Sequence, residues 1–149
     1  MRHDPQEKHQ ALVLEYGHTV GHALELVSGG RVRHGFAIGV GMLAAARISN
    51  LLGFLDRSDE TAHRVLLERN CAPTSVSDLA DVEQIMHFVR LDNKRGYLPS
   101  LSNKCDFILL DALGKPHSND GGLIVQVDEE VVRDALESLV VSKATIGVM

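Results

Sequence analysis

Tryptophan is absent from this 149-residue chain, and aromatic residues supply only 4% of it. A core without large rings must come from Leu, Val, Ile, Ala and Met, which suits close-packed helices. Cysteine is scarce as well. Cys71 and Cys105 stand far apart without metal-ligand spacing, so they read as reduced thiols of a cytosolic protein. No apolar run approaches the roughly 20 residues of a membrane span. The opening Met1-Arg2-His3-Asp4-Pro5 has no apolar segment suited to a signal peptide, so the expectation is a soluble, cytoplasmic protein. Positive charge is not in excess. The formal net charge is −5, which argues against a nucleic-acid partner. No Gly-rich dinucleotide fingerprint follows a strand, and there is no Ser-centred nucleophile elbow. Internal repeats and low-complexity tracts are missing too.

What is present is an ordinary globular composition, 44% apolar, at the length of about one domain. Asp4-Pro5-Gln6-Glu7 has the signature of a helix start, predicting a first helix to about Tyr16. A histidine-bearing helix follows to about Val27, and Ser28-Gly29-Gly30 ends it. Residues 34–53 are apolar nearly all round and predict a central buried helix with Gly53 as its stop. Gly35, Gly39 and Gly41 cost helix propensity there, and make sense where backbone or a ligand packs closely. Ser58 to Arg69 is amphipathic with Val65, Leu66 and Leu67 on one side, and Cys71-Ala72-Pro73 breaks it. Asp81 can cap a helix through Leu91. Phe107–Leu110 and Leu123–Val127 read as strands joined by a turn-rich stretch, and a last helix runs from Asp128 through Leu139. The fold class is therefore mainly α, with one small β-hairpin.

Chemistry concentrates in Tyr16-Gly17-His18-Thr19-Val20-Gly21-His22-Ala23-Leu24-Glu25, with His34-Gly35 twelve residues after His22. His18 and His22, four apart, share one face of a helix. Neutral imidazole is the usual transition-metal ligand and the usual proton carrier near neutral pH. Two metal histidines and one proton-transfer histidine form a sensible division of labour. A catalytic metal keeps three protein ligands and an open position. Glu25 lies on the same face and is either the third ligand or a carboxylate that orients an imidazole. His3, His9, His63, His87 and His117 lie in polar or turn contexts and read as surface residues.

A second constellation is Asp92-Asn93-Lys94-Arg95-Gly96-Tyr97. Lys94 and Arg95 can grip a phosphate. Cations at a helix end also simply complement the helix dipole.

The string YGHTVGHALE, then HG, then an Ala-rich helix ending LLG, then DNKRGYL, resembles the C-terminal domain of the sugar phosphate cyclases, the 3-dehydroquinate synthase superfamily. HDPQEKHQALVLEYGHTVGHALE and DNKRGYLP resemble most the branch that makes 2-deoxy-scyllo-inosose for aminocyclitol antibiotics. The resemblance runs from about Arg2 to about Leu139. It implies that His18 and His34 bind the metal, zinc or cobalt. It implies that His22 handles protons and phosphate, and that Lys94 contacts phosphate. Asn93 replaces a lysine of the dehydroquinate-forming branch, as in the inosose-forming one.

Three departures separate the branches. Glu15 stands where dehydroquinate synthases carry asparagine, Ala11 where they carry the arginine that pairs with a substrate carboxylate, and Phe36 where they carry glutamate. Glucose 6-phosphate has no carboxylate and needs no such arginine, while Glu15 can accept hydrogen bonds from sugar hydroxyls. The resemblance thus implies a carbon–oxygen lyase that carries out NAD-dependent oxidation, phosphate elimination and aldol closure of glucose 6-phosphate. Whole members are much longer. Their N-terminal half binds NAD, and the missing stretches supply the third ligand, a glutamate, and active-site lysines. The expectation is that residues 1–149 are the C-terminal metal- and substrate-binding domain alone, inactive by itself and homodimeric in the full-length enzyme. The rivals are a 3-dehydroquinate synthase or metal-dependent polyol dehydrogenase, and a noncatalytic metal-binding helical domain.

Overall fold

The computed structural model describes residues 12–70, 81–91, 103–118 and 122–148. A short 3-10 turn, Leu12–Glu15, leads into α1 (His18–Ser28), α2 (His34–Leu51), α3 (Arg57–Arg69) and α4 (Val82–Leu91). Strands β1 (Lys104–Ile108), β2 (Leu110–Ala112), β3 (Lys115–Pro116) and β4 (Ile124–Asp128) follow, and β4 runs directly into α5 (Glu129–Val148). The mainly helical class is as expected.

Helix α2 is the centre. Its buried positions Ala37, Val40, Leu43, Ala44, Ala45 and Ile48 face all sides, and α1, α3 and α5 pack on it. Small side chains let the neighbours come close. A Cβ on Gly41 would fall on the carbonyl oxygen of Gly17 and lie 2.8 Å from the Gly21 nitrogen. The backbones of α1 and α2 therefore touch without side chains between them. Gly39 makes room for Leu67 of α3, whereas Gly35 has nothing within 4 Å. Of the three helix glycines, only Gly41 meets backbone.

Polar ties fix the remaining elements. The Thr19 hydroxyl donates to the Asp106 carbonyl over 3.2 Å, joining α1 to β1, and the Leu110 amide donates to the Ser49 hydroxyl, joining α2 to β2. Asp56 caps α3 by accepting from the Asp59 amide at 2.9 Å. That bond is the main reason its carboxyl titrates below the usual range. Helix α4 buries Ile85, Met86 and Val89. Strands β1 and β4 pair antiparallel with Phe107 opposite Val125, and their connection carries the smaller β2–β3 hairpin. The single expected hairpin is thus two nested ones. Turn residues such as Gly114, at φ 77°, mark the inner reversal.

Two expectations are corrected. Residues 12–16 do not continue a regular helix, because Gly17 takes a left-handed conformation, φ 82°, and breaks the path before His18. The expected start at Asp4 lies outside the described residues, as does the break at Cys71-Ala72-Pro73. On α3, Val65 and Leu66 are 37% and 51% exposed, while His63 is buried. Among the described residues no helix is long and apolar enough to cross a membrane.

The close crossing makes a testable contrast. Gly41→Ala should destabilise the chain by about 2 kcal/mol or more, because backbone cannot step aside. Gly35→Ala should be neutral or stabilise by up to about 1 kcal/mol through helix propensity. Urea denaturation of the two variants measures both.

Candidate metal and substrate site

The α1–α2 contact sets where the histidines stand. His18 opens α1 and His34 opens α2; the two helices run antiparallel, with Gly17 beside Gly41 and Met42 and Gly21 beside Ala37 and Ile38, so the chain returns along α1 and sets His34 against Glu25. His22 follows one turn beyond His18. The ring centres of His18 and His22 are 5.1 Å apart, those of His18 and His34 5.6 Å, and those of His22 and His34 6.2 Å. Two imidazoles that share one ion through Nε2 at ~2.1 Å have ring centres roughly 5–6 Å apart. The spacing matches that requirement.

The hydrogen bonds fix which nitrogen is available. His18 Nδ1 lies 3.3 Å from the Tyr16 carbonyl oxygen, and His34 Nδ1 lies 2.9 Å from Glu25 Oε1. A carbonyl and a carboxylate only accept. In each neutral ring Nδ1 therefore carries the proton and Nε2 keeps its lone pair. An oxygen acceptor behind each imidazole is the arrangement that orients metal-binding histidines. Glu25 stands behind the His34 ring, in the place of a carboxylate that orients an imidazole. Neutral imidazole nitrogens suit zinc or cobalt better than magnesium or calcium. Among the described residues no group of three or more His, Cys, Asp or Glu side chains is placed to hold a metal ion. His18 and His34 offer two nitrogen donors of the kind such an ion takes.

His22 is exposed and lines a cavity of about 480 Å³ with Thr19, Glu25, Leu26, Phe88 and Leu91. Glu15 ends the 3-10 turn, half-buried, immediately before Tyr16-Gly17-His18. Phe36, two residues into α2 from His34, is 39% exposed. Ala11 and the segment holding Asn93, Lys94 and Arg95 lie outside the described residues. The strands among the described residues are antiparallel hairpins, and the sequence has no dinucleotide fingerprint.

Two side chains escaped the sequence reading. Tyr16 packs against all three clusters of buried apolar residues, and its hydroxyl lies 2.8 Å from His63 Nε2. His63 is 6% exposed, not a surface residue. Its place four residues before Leu67, on the inward face of α3, was the available signal. His117 is also no bare surface group. Its ring stacks on Phe54 with centres 3.9 Å apart, and Nδ1 lies 2.7 Å from Asp111 Oδ1. His87 is exposed, as expected.

Comparison with known proteins decides the family. The model of the 3-dehydroquinate synthase C-terminal domain matches residues 1–95. The chain belongs to the 3-dehydroquinate synthase family. Within this family it is 42% identical over 136 residues to the 2-deoxy-scyllo-inosose synthase of Micromonospora echinospora, covering 91% of this chain and 34% of that protein. It is 37% identical over 133 residues to the enzyme of the same name from Niallia circulans, covering 89% of this chain and 36% of that protein. A crystal structure of 2-deoxy-scyllo-inosose synthase complexed with carbaglucose-6-phosphate, NAD+ and Co2+ superposes with a TM-score of 0.80 at 36% identity. That match covers 89% of this chain and 36% of the other. The chain spans about a third of the length of these relatives.

Burial of Tyr16 has a consequence in alkali. Loss of solvation raises its phenol well above the ordinary value of 10.0, and burial pushes the Cys105 thiol up to about 11. Both acids are raised in the folded state, so their contribution to stability is complete below their unfolded values and is lost as pH rises. The urea midpoint should begin to fall above about pH 9 through Cys105, and more steeply above about pH 10 through Tyr16. Tyr16→Phe should remove the steeper part alone.

Proposed function

We propose that this domain is the metal- and substrate-binding part of a sugar phosphate cyclase of the 2-deoxy-scyllo-inosose synthase kind, converting glucose 6-phosphate to a carbocyclic inosose with loss of phosphate. The observation that carries the reading is the meeting of His18, His22 and His34, with the Nδ1 atoms of His18 and His34 held by oxygen acceptors. The named relatives support it.

In this reading His18 and His34 present Nε2 to zinc or cobalt, and Glu25 holds the His34 ring from behind. The bound ion supplies Lewis-acid polarisation of sugar oxygens. His22, at the cavity wall, carries protons to and from the sugar and the departing phosphate. Lys94 grips the phosphate, and Glu15 accepts from sugar hydroxyls. The third metal ligand, the active-site lysines and the NAD site belong to the part of a full-length, homodimeric, cytoplasmic enzyme that lies beyond these residues.

Two measurements test the reading. Calorimetry of the chain with zinc or cobalt should give an affinity of roughly micromolar rather than nanomolar order, because one ligand of three is missing. His34→Ala should abolish it, and nanomolar binding that survives this change refutes the assignment. For substrate choice, Ala11 leaves a substrate carboxylate with no cation, and burying it unpaired is costly. Joined to an intact NAD-binding domain, this domain should favour glucose 6-phosphate over the carboxylated dehydroquinate precursor by at least ~100-fold in kcat/KM, as about 3 kcal/mol requires. Lys94→Ala should lower turnover, whereas Lys104→Ala should not. Equal use of both substrates would return the assignment to the level of the family.

A further inference from the structure

We infer that Tyr16 and His63 are positioning residues that set the direction of the His18 imidazole through a half-buried relay of three hydrogen bonds. The inference rests on the proposed role of His18 as a metal ligand. The relay begins on α3. His63 Nδ1 lies 2.8 Å from the Asp59 carbonyl oxygen, which only accepts, so the neutral ring carries its proton on Nδ1. Nε2 is then an acceptor, and the Tyr16 hydroxyl 2.8 Å away is its donor. The Tyr16 backbone carbonyl in turn accepts from His18 Nδ1 at 3.3 Å.

Between Tyr16 and His18 the chain has little freedom. Gly17 is at φ 82°, and a Cβ there would lie 2.7 Å from Met42 Cγ and 2.9 Å from the Ile38 carbonyl oxygen. The Tyr16 ring contacts all three apolar clusters. The residue is thus clamped at its ring by the core, at its hydroxyl by His63, and at the following peptide by α2. What this clamp holds still is the carbonyl that selects the His18 tautomer.

Packing alone does not call for these groups. Phenylalanine and leucine would fill the volume without burying a hydroxyl and an imidazole that must be satisfied. The polar pair adds direction. His63 has both ring nitrogens engaged inside the protein and is 6% exposed, so it touches neither substrate nor ion. Its effect reaches the site through Tyr16.

Imidazole 15N NMR of the metal-free chain at about pH 8, where histidine is neutral, reads the tautomer directly. His18 should be mainly protonated at Nδ1 in the parent chain. In Tyr16→Phe and His63→Leu the Nε2-protonated form should grow, and affinity for cobalt chloride should fall ~10-fold or more, as loss of an orienting partner does. His63→Gln, whose amide oxygen can accept from the tyrosine, should restore both readouts. His117→Gln, off the relay, should leave both unchanged. Tyr16→Phe keeps the ring in the core and decides the matter if His63→Leu fails to fold. An unchanged His18 tautomer in folded Tyr16→Phe overturns the inference, whatever the metal data show. Cobalt affinity that is absent from the parent chain, or that survives His18→Ala, instead overturns the metal reading, while the tautomer still decides the positioning role.

Discussion

The site depends on the contact between the α1 and α2 backbones at Gly17, Gly21 and Gly41. Because no side chain separates them, the two helices run close enough for His18 and His22 of α1 and His34 of α2 to face one another. The cost in helix propensity of glycine inside α2 is offset by this approach. Thr19 and Ser49, one on each helix, then tie the pair to β1 and β2, so a strand of each hairpin helps fix the crossing. A site built on helices in this way is held more firmly than one built on loops.

Much of this was legible in the sequence, and the reasons differ by element. The all-round apolar run of α2 can only be a buried helix, and Gly29 and Gly53 mark real left-handed stops at φ 63° and 83°. The four-residue spacing of His18 and His22 gave their shared face, and the glycine turn after Ser28 left room for His34 to return. Glu25 could be read two ways from spacing. The 2.9 Å contact to His34 Nδ1 supports the orienting one.

The unread parts depend on how side chains and short strands meet in space, which neither helical nor strand periodicity shows. His63 meets Tyr16 across 47 positions, and only its place four residues before Leu67 hints at its burial. Val65, Leu66 and Leu67 read as one apolar side of α3, yet Leu67 alone of the three packs at Gly39 while Val65 and Leu66 are exposed. The inner β2–β3 hairpin is two short strands with an irregular register, too short for alternation to show. His117 follows from the same hairpin, since the β2–β3 reversal brings it to Asp111 and Phe54.

The glycine contact also bears on how such a site can change over generations of substitution. Where side chains separate two helices, trimming or enlarging them adjusts the gap by small steps. Here atoms of the main chain already meet, and neither partner can shrink further. The spread of the three imidazoles is therefore nearly invariant. A descendant that came to prefer another ion would have to exchange the donor groups themselves, since altering the distance between their scaffolds is closed to it.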